Sequence, residues 1–446
     1  MSSAMDSKAI EQPEQKNPEK IESIVEEAHG IDGLEVARHV LFALVVGVVC
    51  GLASVVLCIC VGWAYDGFNA CTWLIWLLPI AGVLEIIVYK LMKLAPDMTT
   101  KSVIATMRDN EHVSDLLAPG ILLTTCMTIL CGGSVGKEAG ALQMGASLGS
   151  FLSKPFKIKS IFKKRKSEPM NNYVAGCGMA ACFAALFFAP LGSCMFVLEL
   201  THFKKPIVHH VITMLIACFV AFFVASFIGI GDIIPQVQLP DLTLIVIGQC
   251  IVIGVLAALG GSIFDLLIKT IQIVTARISQ HFAIWTIVGG LIVATLVTVC
   301  GWDAFTGTGG DTLTDVLHGS FGPWDFLIKA LLTLLCLGFW FKGGEIMPSF
   351  CIGGLLGASC SYLTGGDAVF GAAIGVLAFF AAFSRCPFAA FLMGCEIFGW
   401  GTAPFLAVAI FVAYMFSYPV GMYGDGMDKG IQHHLEKLRR RALKRY

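Results

Sequence analysis

The chain has 446 residues, of which 57% are hydrophobic and only 14% charged, and its mean hydropathy is +0.80. Soluble domains carry about 25% charged residues, so a soluble globular protein is excluded and a polytopic membrane protein is expected, all-α by its spans and motifs. The net charge of −1 gives no global electrostatic support for binding nucleic acid.

Residues 1–35 are polar and acidic and contain Pro13 and Pro18. They lack the basic and apolar regions of a cleaved signal, and read as a disordered, cytoplasmic N-terminus leading into an amphipathic entry. A spanning helix needs about 20 apolar residues. Leu41–Trp63, Trp73–Met92, Ile207–Gly229, Leu242–Leu267, Ile284–Trp302, Phe326–Phe341 and Phe405–Tyr418 meet or approach that need. Leu116–Leu130, Ala139–Leu152, Val174–Leu200, Ser349–Leu363 and Phe370–Phe398 are shorter or broken by Gly or Pro. In a bilayer such segments must be buried in protein or line a wet cavity.

Basic residues mark the cytoplasmic side. They cluster between Lys154 and Lys166, at Lys204 and Lys205, and in a basic tail over 425–446 that includes Lys437, Arg439, Arg440, Arg441, Lys444 and Arg445. Both termini are therefore expected in the cytoplasm, and the segment between the first two clusters dips in and returns, breaking at Ala189-Pro190. Most of the 17 Cys, such as Cys50, Cys177 and Cys218, sit in apolar runs as small packing residues. No C-x-x-C or zinc spacing is present, and no cofactor is expected.

An internal repeat organises the membrane domain, 36–424, into two halves of about 36–231 and 240–424. A-P-L-G-S-C-M-F-V-L-E (Ala189–Glu199) matches C-P-F-A-A-F-L-M-G-C-E (Cys386–Glu396), with the same nine positions from Pro to Glu. In the same order, G-K-E-A-G-A-L-Q-M-G-A-S-L-G (Gly136–Gly149) matches G-E-I-M-P-S-F-C-I-G-G-L-L-G (Gly344–Gly357). Generic small-residue packing explains single G-x-x-x-G spacings. Paired interrupted segments in two halves point instead to a transport site at the midplane.

The stretch C-G-G-S-V-G-K-E-A-G from Cys131 carries two misleading motifs. Gly132–Gly136 fits the G-x-S-x-G elbow of serine hydrolases, making an intramembrane hydrolase using Ser134 the rival reading. None of the ten His sits near the middle of an expected span, so the base is missing. The segment also approaches a phosphate-binding loop, but Cys131 and Glu138 stand where Gly and Ser/Thr are needed. What remains is a helix beginning near Glu138, with a second beginning in the same style after Gly343-Gly344-Glu345. Two opposed helix N-termini make an anion site without a full positive charge, so that a bound ion can still leave. Glu138, an intramembrane acid, is a functional residue by default. Its protonation would couple anion passage to protons.

These residues resemble the CLC chloride channel and anion/proton exchanger family. Gly136–Gln143 is similar to its G-[KR]-E-G-P segment, Ala189–Gly192 with Glu199 to its P-L-[AS]-G…E segment, and Gly343–Pro348 to its G-G-x-F-x-P segment, all within Leu41–Tyr423. The resemblance implies an inverted repeat of about 18 full and partial helices and a homodimer in which each subunit has its own pore. It implies Glu138 as gating and proton-accepting glutamate, an inorganic anion held near Met98, Thr99, Gly136, Lys137, Glu345, Ile346 and Met347, and Tyr423, rather than Tyr418, closing the inner side. Three departures stand out. Met98 replaces the filter serine, Glu345 stands beside the anion, and Leu200 takes the place of the internal relay glutamate. The changed filter resembles the fluoride-exporting branch, so chloride and fluoride, and gated channel and proton antiporter, stay open. The short tail leaves no room for the nucleotide-binding pair some relatives carry. The expected setting is a multi-pass protein of the cell membrane.

Overall fold

The computed structural model describes residues 33–158, 170–201, 208–229 and 237–423. Among them are sixteen α-helices. The first eight are α1 (Gly33–Ala70), α2 (Leu78–Leu91), α3 (Thr100–Arg108), α4 (Leu117–Leu130), α5 (Glu138–Phe156), α6 (Asn171–Phe187), α7 (Pro190–Thr201) and α8 (Val208–Ile228). The second eight are α9 (Leu244–Ile278), α10 (Phe282–Cys300), α11 (Gly310–Leu317), α12 (Asp325–Gly338), α13 (Ile346–Leu363), α14 (Ala368–Ser384), α15 (Pro387–Phe398) and α16 (Ala403–Phe416). The two sets correspond in order. α4 and α12 have 14 residues each, α6 and α14 have 17, and α7 and α15 have 12. The N-terminal tail, Lys159–Lys166, Lys204, Lys205 and the basic tail lie outside the described residues, and the orientation expected from them lies there too.

Among the described residues, six helices are long and apolar enough to cross a membrane by length and composition, the longest being α1 and α9. On α1, Leu41, Leu44, Val48, Leu52, Val56 and Ile59 form an exposed apolar stripe at helical spacing. Such a stripe suits lipid rather than water. α14 is the opposite case: from Phe370 to Ser384 every residue is buried, as expected of a helix apolar all round.

Glycines let the central helices touch backbone to backbone. A side chain at Gly145 or Gly149 would strike the backbone of α6 at Gly178 and Val174. Gly353 and Gly357 meet α14 at Gly375 and Gly371 in the same way. The breaks in the two hairpins also match. Phe188 (φ 53°) and Arg385 (φ 63°) are left-handed, each two positions before a proline that starts the next helix. Proline cannot continue a helix and pushes the preceding residue out of helical geometry. Arg385 is held there by hydrogen bonds of 2.6 Å from Nη1 to the Tyr414 carbonyl and the Ser417 hydroxyl.

Some expected spans change. Phe326–Phe341 and Phe405–Tyr418 yield only α12 and α16, of 14 residues each. At 1.5 Å per residue these cover about 21 Å, short of the roughly 30 Å apolar core of a bilayer. Ser349–Leu363 instead belongs to the 18-residue α13, which starts at Ile346. Pro348 is tolerated because it lies in the first turn, where amides have no helical partner. Leu242–Leu267 continues as α9 to Ile278, carrying Lys269 along by its 2.7 Å bond to Asp265 one turn earlier.

Candidate functional site

The two halves meet at Gly136 and Gly344. Each donates its N–H to the other's carbonyl at 2.6 Å, an antiparallel bridge that places an approximate two-fold axis between them. α5 starts two residues after Gly136 and α13 two residues after Gly344. Their N-cap residues, Lys137 and Glu345, supply no side-chain cap. The first-turn amides of both helices therefore present their partial positive ends at the molecule's centre.

Glu138 opens α5, is 2% exposed, and folds back: a Cβ on Gly136 would lie 2.5 Å from its Oε2 and 2.9 Å from Pro348. Lys329 of α12 is within electrostatic reach of it. Met347 is half-buried and faces the start of α11, 3.7 Å from where a Cβ of Gly310 would lie. Ile346 is fully buried.

Across the glycine bridge is a cavity of about 40 Å³, room for a water or a small ion. Met98, Thr99, Glu345, Lys342 and Met422 line it. Thr99 caps α3 through its hydroxyl, which accepts from Ser102 N at 3.4 Å. Gln143 of α5 donates to the Thr100 hydroxyl at 3.0 Å and ties α3 to the centre. Glu345 is 4% exposed and its carboxyl faces the Tyr423 hydroxyl. Tyr423 is 2% exposed, whereas Tyr418 is half exposed. Glu345 is also within electrostatic reach of Glu138 and of Asp265. The sequence-predicted residues thus fall into two groups: Met98, Thr99, Glu345 and Tyr423 on the cavity side, and Glu138 and Met347 on the side of Lys329. Gly136 lies in the bridge between them, and Lys137 is the N-cap that follows it.

Three buried charges near the centre, Glu85, Lys329 and Lys342, escaped the sequence reading. Glu85 of α2, fully buried, accepts from the Thr128 hydroxyl at 2.6 Å and from Lys342 N at 3.0 Å. Lys342 and Lys329 grip loop carbonyls described below. The available signal was a lone charge inside each apolar run, as in Val83-Leu84-Glu85-Ile86-Ile87 and Leu327-Ile328-Lys329-Ala330. Ser134 is held by the Thr333 hydroxyl at 2.9 Å and donates to the Phe305 carbonyl at 3.3 Å, with no histidine among these partners. A hydrolase therefore has no geometric support. Leu200 is buried, and its carbonyl accepts from Arg108 Nε at 2.8 Å.

Fold and site define a polytopic membrane protein of two matched halves with paired helix starts meeting at its centre. The chain belongs to the voltage gated chloride channel family, whose model matches residues 84–418. It is 28% identical over 434 residues, 92% of each chain, to a chloride/fluoride channel protein of Pseudomonas syringae pv. tomato. It is 25% identical over 343 residues, 72% of each chain, to an H(+)/Cl(−) exchange transporter of Cronobacter sakazakii. Among solved structures, a CLC-type fluoride/proton antiporter superposes with a TM-score of 0.81 at 26% identity, covering 88% of this chain and 98% of that one. A slow cyanobacterial Cl−/H+ antiporter shares the fold, with a TM-score of 0.73 at 19% identity over 91% of this chain and 98% of that one.

Proposed function

We propose that the chain exchanges fluoride for protons across the cell membrane, with the anion passing between the starts of α3, α5 and α13. The observation that carries this reading is the pair of buried carboxylates, Glu138 and Glu345, on either side of the Gly136–Gly344 bridge and within electrostatic reach of each other. A buried carboxylate beside an anion is repelled unless it is protonated. An ion entering therefore favours a proton on its neighbour, and that is the physical basis of coupling. Glu138 is the gate, and Glu345 with Tyr423 hands the proton on where Leu200 offers no acid.

Fluoride is favoured over chloride by Met98 in the first loop, where a hydroxyl would otherwise coordinate the ion, and by the similarity to a fluoride/proton antiporter. The transported anion and the proton are the only small molecules the proposal needs; no cofactor is invoked. The working unit is a homodimer of separate pores in the lipid bilayer, with both termini cytoplasmic.

The test is efflux from liposomes loaded with fluoride or chloride, with proton uptake recorded together. Proton uptake tracking fluoride efflux, and lost in Glu138→Gln, is the expected result. Chloride efflux without protons would replace exchange by conduction, and efflux of neither anion would end the transport reading.

A further inference from the structure

Lys342 is 4% exposed, lies directly before the Gly343-Gly344 turn and lines the cavity beside Met98. Every polar part of it is engaged. Its N–H donates to Glu85 at 3.0 Å, and its carbonyl lies 2.6 Å from the Thr128 hydroxyl, whose one proton it shares with Glu85. Its Nζ donates to the Pro96 carbonyl at 2.6 Å and the Met98 carbonyl at 3.1 Å, and sits 4.5 Å from the centre of the Tyr89 ring. Glu85 and Asp97 are within electrostatic reach of it.

The equivalent loop of the second half is held by the same means from a different place. There Lys329 Nζ donates to the Phe305 and Gly307 carbonyls, both at 3.0 Å. Lys329 is the fifth residue of α12, and the fifth residue of α4 is Ile121. Conversely, Lys342 stands two positions before its bridging glycine, where the first half has Ser134. Ser134 also donates to the Phe305 carbonyl. The carbonyls ahead of each short helix, α3 or α11, therefore meet one ammonium, both lysines coming from the second half, and the matching position at each loop, Ile121 or Ser134, is uncharged. Ile121 and Lys342 line the same cavity.

We propose that Lys342 sets anion affinity and selectivity at this cavity, by turning the Pro96 and Met98 carbonyls away from the ion and adding a positive field without an ammonium hydrogen bond. In a trans peptide the carbonyl of one residue and the N–H of the next point in opposite directions. Binding Pro96 O and Met98 O to Nζ therefore aims the Asp97 and Thr99 amides away from the ammonium. With two donors spent on carbonyls and the ring beneath, the ammonium attracts an anion in a low-dielectric site without trapping it. Lys342 is a positioning residue, and the inference rests on the proposal that the anion passes beside Met98.

The test compares wild type, Lys342→Met, Lys342→Arg and the swap Lys342→Ser with Ile121→Lys, which rebuilds the first loop in the manner of the second. The readouts are fluoride Kd by calorimetry and the fluoride:chloride flux ratio. Lys342→Met is expected to weaken fluoride by about tenfold or more and to move the flux ratio toward unity, while Lys342→Arg stays within about threefold in Kd. The swap is expected to regain binding lost in Lys342→Met, and it decides the matter if the methionine variant does not fold. A folded methionine variant with unchanged Kd and ratio would overturn the inference. So would a fall in both fluxes in equal proportion, or a folded swap that binds nothing. If the swap does not fold either, Lys342→Arg decides: an arginine variant that loses fluoride binding overturns the inference, and one that keeps it supports it. Wild type carrying neither anion would instead overturn the transport proposal itself.

Discussion

Glu199 and Glu396 cap each other's helices. Glu199, near the end of α7, accepts from Phe388 N at 3.3 Å and Ala389 N at 2.7 Å at the start of α15. Glu396, near the end of α15, accepts from Leu191 N at 2.9 Å and Gly192 N at 2.7 Å at the start of α7. Each carboxylate takes the two amides that follow the helix-initiating proline, and charge-assisted bonds at a helix N-terminus are the strong kind. Replacing Glu199 or Glu396 by Ala leaves two amides unpaired, with an expected loss of about 2–4 kcal/mol each. The near two-fold relation makes the two losses similar. Thermal unfolding of the single variants in detergent checks this, and a tolerated change at either position would remove the capping role.

Glu138→Gln keeps the size of the gate and removes its charge and its proton. Anion movement is expected to persist while proton uptake falls at least about tenfold. Simultaneous pH and fluoride-electrode records on liposomes read both quantities in one sample.

Glu345→Gln should also uncouple, but by a different route, because the cavity side loses its acid while the gate stays intact. Anion-driven proton uptake is expected to fall about tenfold or more, with Tyr423→Phe giving a smaller loss. If Glu345→Gln transports protons at the wild-type rate, the relay must lie elsewhere.

Gly136→Ala introduces a methyl 2.5 Å from Glu138 Oε2 and 2.9 Å from Pro348. The carboxylate or the start of α13 has to move, and turnover is expected to drop about a hundredfold, as ångström-scale misplacement costs at an oriented site. Circular dichroism that matches wild type would separate this from unfolding.

Ser134→Ala discriminates against the hydrolase. It removes hydrogen bonds to Thr333 and to the Phe305 carbonyl, a cost of about 1–2 kcal/mol. Transport is expected within about twofold of wild type, because Lys329 still holds that carbonyl. Loss of all activity with full stability would revive a nucleophilic role.

The sequence carried the helix starts and hairpins because each is written in local chemistry. Pro190 and Pro387 begin helices, Gly136 and Gly344 precede them, and the Pro-to-Glu spacing repeats. Helix length was less legible at α12, where the apolar run continues past the helix end through Phe339–Phe341, and at α16, which ends at Phe416 before Ser417 and Tyr418. Hydropathy alone cannot see the turn. Lys342, Lys329 and Glu85 were missed for another reason. Their partners are carbonyls, amides and hydroxyls far away in the chain, such as Lys342 to Pro96, and a backbone acceptor leaves no trace in residue type. The capping by Glu199 was hidden likewise, since its amides lie 189 and 190 positions on.

The paired hydrogen bonds between Gly136 and Gly344 also act as a single latch between the halves. They sit on the near-symmetry axis and involve no side chains. Because that axis exchanges the two bonds, a displacement of one half against the other strains both together. Glu138 and Glu345 are each within two residues of a bridging glycine, so a displacement at the bridge reaches both acids at once.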